Sequence, residues 1–177
     1  MADQERKPCL LHPSLKSFCG CQKGTAQNPK FTLREGTYEG NPVVEIFKNG
    51  GPIHRFDEHF RFGIRKAQMF VACLAAIHEF CYGSDDERYG FKPRVIQEGT
   101  YPAAIRVSVE MHPNFNRSTG EFVDEPYLKL EALNGSRVEK GIGVMKCRAI
   151  WALREELGEW IGRAESDSRG SWCRRVA

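Results

Sequence analysis

From Ile105 to His112 apolar and polar residues alternate strictly. Ile105, Val107, Val109 and Met111 share one parity; Arg106, Ser108, Glu110 and His112 share the other. Successive side chains of a strand point to opposite faces, so this run predicts a strand with one buried and one open face. Tyr127 to Ala132 alternates in the same way, with Leu128, Leu130 and Ala132 against Tyr127, Lys129 and Glu131. The Asn134-Gly135 pair that follows is a hairpin signal, because both residue types tolerate the positive φ of a tight turn. Earlier in the chain, Phe31-Thr-Leu33 and Pro42 to Phe47 read as two strands joined near Gly40-Asn41, with a second turn at Asn49-Gly50-Gly51-Pro52. One or two more strands are expected between Ile53 and Ile64.

Twice the period then changes from two to about 3.6. From about Arg65 to Cys81, Phe70, Leu74, Ile77 and Cys81 recur at helical spacing among helix-favouring alanines. From about Val144 to Arg163, the residues Cys147, Ile150, Leu153, Leu157 and Trp160 form a second such face. Further marks are repeated. Glu-Gly-Thr-Tyr occurs at 35–38 and 98–101, Gly-Ile at 63–64 and 141–142, and a Glu-aromatic pair at Glu79-Phe80 and Glu159-Trp160. The expectation is an α+β chain of two tandem antiparallel sheet-plus-helix (ββββα) repeats forming one pseudo-two-fold domain, with N- and C-terminal arms. Its parts are an arm over 1–29, a first repeat over 30–82, a linker over 83–90, a second repeat over 91–163 and a tail over 164–177. The second repeat is longer where Asn114 to Asp124 supplies loop residues.

Composition adds limits. The 177 residues suit one good-sized domain or two small ones sharing a core, and 41% hydrophobic with 28% charged residues is ordinary for a folded soluble chain. No apolar run approaches the ~20 residues of a membrane span, and the N-terminus is polar, so no membrane partner and an intracellular location, cytoplasmic or nucleoid/nuclear, are expected. Seven cysteines, an odd number, read as mostly reduced thiols. Within the N-terminal arm, Cys9 and His12 precede Cys19 and Cys21. Four such ligands can hold zinc tetrahedrally, although the single residue between Cys19 and Cys21 departs from the usual spacing. The competing reading is a flexible tail with reduced thiols.

A sheet covered by its helix on one side leaves the other face open. Exposed aromatic rings there would stack on bases while cations follow phosphates. The candidates are Tyr38, Lys48, Arg55, Phe60, Arg61, Arg65, Tyr101, Arg106, Lys129 and Arg137. Each has a plainer alternative. Phe56, Phe60 and Phe62 fit a buried stripe, the cations fit a solvated surface, and Tyr38 and Tyr101 fit turns into the sheet. The net charge of +3 permits a nucleic-acid partner without demanding one.

The tandem repeats, each closing with a helix that ends Ile77-His78-Glu79-Phe80 or Leu157-Gly158-Glu159-Trp160, resemble the Whirly, Pur-alpha and positive-cofactor-four group of single-stranded nucleic-acid-binding proteins. The resemblance covers about Lys30 to Arg163 and rests on topology and on small patterns (Gly63-Ile64 through Lys66, Gly141-Ile142 through Lys146). It implies binding of single-stranded DNA, or RNA, across curved sheets, often by oligomers or pseudo-dimers, in replication, recombination, repair or transcription. The Cys/His arm and the Asn114-Phe115-Asn116 segment depart from that pattern. A second reading makes the chain a protein-interaction module that docks through its terminal arms.

Catalysis is not expected. His54, Asp57, Glu58 and His59 concentrate acid-base groups of the kind a metal-dependent nuclease uses, but His54 and His59 have opposite parity within one strand. No Gly-rich phosphate loop, nucleophile elbow or zinc-protease helix is present in the sequence.

Overall fold

A computed structural model describes residues 29–55, 58–97, 101–116 and 118–173, with side chains at all of these except 54–58 and 167–173. The Cys9, His12, Cys19 and Cys21 set therefore lies outside the described residues. Phe31–Tyr38 (β1) and Asn41–Lys48 (β2) pair antiparallel, with Phe31 opposite Lys48 and Tyr38 opposite Asn41. The hairpin closes on Glu39-Gly40, both at positive φ (51° and 76°), the geometry of a two-residue turn whose twist matches that of the strands. Asn49 and Gly50 repeat it at 52° and 80°, so the second turn sits where its residues announced it.

Gly51–Pro52 (β3) continues from that turn along β2, and Arg61–Gly63 (β6) takes up the same edge of β2 further on. Between them the chain leaves the ladder as a small ribbon, His54–Arg55 (β4) against Glu58–His59 (β5). The first sheet thus has four strands, of which β3 and β6 share one side of β2.

The second sheet is regular. Arg94–Ile96 (β7), Ile105–Asn116 (β8), Glu121–Ala132 (β9) and Val138–Ile142 (β10) lie in the order β10-β9-β8-β7, all antiparallel. Asn114 to Asp124 is not the loop expected from its composition. β8 and β9 run in register up to the Asn116–Glu121 pair, so most of that segment is strand and only the tip turns. Asn and Pro argue against strand locally, but a hairpin ladder already formed by the alternating residues carries them along.

Each sheet leads into a bent helix. Ile64–Ala72 (α1) and Leu74–Tyr82 (α2) meet at Cys73; Val144–Ala152 (α4) and Arg154–Cys173 (α5) meet at Leu153. The two junction residues adopt nearly the same conformation, φ −101°, ψ 14° and φ −102°, ψ 15°. The main-chain bonds continue through both bends, from Cys73 N–H to Met69 O (3.2 Å) and from Leu153 N–H to Ala149 O (3.1 Å). The two helices expected from periodicity are continuous and bent, with a buried apolar residue at each bend.

The helices pack crosswise, α1 against α5 and α2 against α4. His78 lies 4.3 Å from Trp151 between ring centres, Arg148 Nε donates to Cys81 O at 3.4 Å, and Gln68 Nε2 donates to Glu165 Oε1 at 2.6 Å. These pairings run antiparallel along the two bent helices.

Two expectations are corrected here. The polar stretch after Tyr82 contains a helix, Asp85–Tyr89 (α3), nucleated by a reciprocal cap in which Ser84 Oγ accepts from Glu87 N–H and the Glu87 carboxylate accepts from Ser84 N–H. The last helix also runs beyond Arg163, with Ala164 buried.

One core joins both halves. Val44, Ile46, Phe60, Phe62, Met69, Phe70, Ile77 and Phe80 from the first half merge with Ile105, Val107, Leu128, Leu130, Ile150, Leu157 and Trp160 from the second. Among the described residues, no helix is long and apolar enough to cross a membrane.

Candidate functional site

Strand parity decides what each sheet shows. In the first sheet Val44, Ile46 and Phe62 face the helices and are buried. Pairing then puts Arg34 and Tyr38 of β1, Glu45 and Phe47 of β2 and Arg61 of β6 on the opposite, open face. Arg34, Glu45 and Arg61 stand side by side across three strands, because Glu45 is opposite both arginines.

The two arginines turn to rings. The guanidinium carbon of Arg34 lies 4.3 Å from the centre of Phe47, and that of Arg61 lies 4.6 Å from the centre of Tyr38. Glu45 instead bonds the imidazole of His59. Among the described residues neither arginine lies within ion-pair distance of a carboxylate. Tyr38 is 50% exposed, whereas Phe47 is buried although it belongs to the open face and not to the central core. A cation over a ring face is attracted by the ring quadrupole, so in each pair charge and π-surface adjoin. With Phe47 buried, it is the Tyr38–Arg61 pair that can stack on a base and bind a phosphate at neighbouring points.

The second sheet is dressed differently. Arg106, Ser108, Glu110 and His112 of β8 share its open face with Tyr127, Lys129 and Glu131 of β9. Here the cations are matched by acids. Lys129 Nζ is 2.8 Å from Glu110 and 3.9 Å from Glu131, and Arg106 is also 3.9 Å from Glu131. The hydrogen bond from Lys129 holds the Glu110 carboxyl below its ordinary range and raises the lysine, so both stay charged and mutually occupied. Tyr127 is buried under His112, with ring centres 5.3 Å apart and near perpendicular.

The remaining expected residues scatter. Phe60 is a core residue, packed on Phe62 (5.1 Å) and Phe70 (6.1 Å), because its parity matches Phe62 and faces the helices. It offers no open-face ring. Tyr101 is likewise buried, its hydroxyl 3.5 Å from Ser136, so the two copies of Glu-Gly-Thr-Tyr do not form paired sites. The first copy lies wholly within β1, whereas Tyr101 sits in a bend ahead of β8 and Glu98, Gly99 and Thr100 fall outside the described residues.

Lys48 pairs with Phe31 on the helix side of the first sheet. Arg65 belongs to α1 and donates to Gln68 Oε1 at 3.3 Å. Arg137 immediately precedes β10, 3.1 Å from Glu139, which Lys66 of α1 also engages. For Arg55 the backbone lies in β4, and its side chain is outside the described residues. Of the ten candidates, Tyr38 and Arg61 meet on one open face, Arg106 and Lys129 on the other.

Arg34 and Phe47 were missed by sequence reasoning. Counting outward from the Glu39-Gly40 turn assigns Arg34 to the same face as Tyr38 and Phe47 to the face opposite Ile46. The signal was the turn, which fixes register once it is placed correctly. Comparison with family models, with curated proteins and with solved structures finds no match to this chain.

Proposed function

We propose that the chain binds single-stranded nucleic acid on the open face of its first sheet. The observation that carries this reading is the pair of arginine–aromatic contacts, Arg61 on Tyr38 and Arg34 on Phe47, on the open face of the first sheet, where among the described residues no carboxylate lies within ion-pair distance of either arginine. Tyr38 supplies an exposed ring for stacking. Arg34 and Arg61 supply the cations for phosphates on either side, and Glu45 is held away by His59. The second sheet serves as scaffold, since Lys129 and Arg106 on its open face already lie against Glu110 and Glu131.

Phosphate neutralisation releases condensed counterions, so affinity for oligo-dT should fall steeply with salt. Fluorescence anisotropy of a labelled oligo-dT at about 50 and 200 mM salt tests this. The reading expects saturable binding that weakens at the higher concentration. Absence of binding at the lower concentration would overturn it.

A further inference from the structure

In a single strand His54 and His59 would face opposite ways, because their parity differs. The chain does not run as one strand there. His54 belongs to β4 and His59 to β5, and the register sets them directly opposite each other across the ribbon. Cross-strand partners share a face, with Cβ atoms about 4.5–5.5 Å apart. The ribbon thus gives one face the two histidines that parity along a strand would separate.

Phe60 fixes where His59 lies. Its side chain is buried in the core, and its carbonyl accepts from Ile46 N–H at 3.1 Å, which holds the end of the ribbon against β2. With Phe60 turned to the helices, His59 falls on the open side beside Glu45, and the two side chains bond through Nδ1 and Oε1. The His59 side chain is 53% exposed, so solvent reaches the pair. Glu45 is opposite both Arg34 and Arg61, yet both guanidiniums turn to rings and leave its carboxylate to the histidine.

Two imidazoles and one carboxylate are a recurrent ligand set for zinc and its neighbours in the first transition row. The described side chains supply Glu45 and His59, and the strand register supplies His54. We propose that His54, His59 and Glu45 hold a divalent transition-metal ion, zinc by preference, at the base of the β4–β5 ribbon. An exposed imidazole–carboxylate pair adds little to stability by itself, so a purely structural role accounts poorly for it. The neighbouring arginines select the ion. Their charge opposes any cation, which disfavours hard ions held by carboxylate charge, such as magnesium and calcium. Neutral imidazole nitrogens bind zinc without relying on net charge. Three protein ligands leave a further position for water or for an oxygen of a bound molecule.

Zinc uptake by the full chain measures this, in a Cys9→Ser/Cys19→Ser/Cys21→Ser background that removes the other candidate ligand set. Equilibrium dialysis at about pH 7.5, above the ordinary imidazole range, followed by elemental analysis, should find about one zinc per chain and no comparable uptake of magnesium or calcium. His54→Gln, His59→Gln and Glu45→Gln should each weaken zinc binding at least about tenfold, the least that a residue merely orienting a ligand is worth. His78→Gln and His112→Gln, elsewhere in the fold, should leave it unchanged. Circular dichroism checks the fold of each variant, and Glu45→Gln keeps the side chain's shape while removing its charge. No zinc on the background chain, equal uptake of magnesium, binding untouched by the three ligand variants, or the same loss in the two control histidines each overturns the proposal. The dialysis contains no nucleic acid, so failure here leaves the oligo-dT reading standing, and the reverse holds too.

Discussion

The guanidinium carbon of Arg61 sits 4.6 Å from the centre of the Tyr38 ring, although the two residues belong to β6 and β1, strands that flank β2 on opposite sides. Arg61 reaches across β2 to make this contact. If the ring is a stacking platform, Tyr38→Ala should weaken oligo-dT binding, by about 1–3 kcal/mol on the usual scale for a base-stacking aromatic. Tyr38→Phe keeps the π-face and should retain most of the affinity. Equal losses in the two variants, read by anisotropy, would transfer the role to the hydroxyl.

The core triad gives a stability prediction independent of any ligand. Phe70 is fully buried and lies edge-on to Phe62, with ring centres 5.1 Å apart. Phe70→Ala should cost about 3–5 kcal/mol through lost burial and a residual cavity. Urea unfolding reads this as a lower midpoint at an unchanged slope.

At Gly143 the constraint is a close approach. A Cβ there would fall 2.9 Å from Cε1 of Tyr127. Gly143→Ala should destabilise by about 1–3 kcal/mol, the usual range for overpacking. Combined with Tyr127→Leu, which clears the ring edge, the same change should cost less than it does alone. A thermal-melt double-mutant cycle measures the difference.

The reciprocal cap on α3 makes its stability depend on pH. The hydrogen bonds from Ser84 hold the Glu87 carboxyl below its ordinary range. A group whose folded pKa is lowered contributes stability above its unfolded value and loses it as pH falls through the folded one. Amides of α3 should therefore exchange faster with solvent below about pH 4, near the ordinary carboxylate range. Ser84→Ala should speed their exchange at neutral pH, with a loss of about 0.5–2 kcal/mol, and flatten the acid response.

Cys73, Cys81 and Cys147 are buried thiols. Burial pushes Cys73 and Cys81 up to about 12 and raises Cys147 well above its usual value. At pH 8 they should resist a thiolate-selective reagent in the native protein and react fully in denaturant. Peptide mapping after labelling tests each site by name, and labelling of any of the three under native conditions contradicts their placement.

Much of the fold was legible because its elements follow simple periods. The 105–111 alternation, the Asn134-Gly135 turn and the helical faces at Phe70 to Cys81 and Cys147 to Trp160 all lie where their spacing put them. What local pattern concealed was set over longer range. The helix bends at Cys73 and Leu153 follow the packing of one helix on another, and no proline or glycine marks them. The arm beyond Met111 is held by cross-strand pairing against the preferences of its Asn and Pro residues.

The site was legible in part. Tyr38 and Arg61 stood out as residue types, but Phe60 shares Arg61's neighbourhood and faces the opposite way. The register of β6 on β2 decides which of the two faces the helices. Sequence likewise showed Arg106 and Lys129 as cations without showing that Glu110 and Glu131 lie beside them on the same face.

Binding at the first sheet's open face is decided by the salt dependence of oligo-dT affinity. Two double variants, Arg34→Gln/Arg61→Gln and Arg106→Gln/Lys129→Gln, should be compared with wild type by plotting log affinity against log salt. Each lost phosphate contact reduces the slope by roughly 0.7 for a single strand. A shallower slope and weaker binding are expected for the first variant and near-wild-type behaviour for the second. Wild-type binding by the first variant with loss in the second would contradict it.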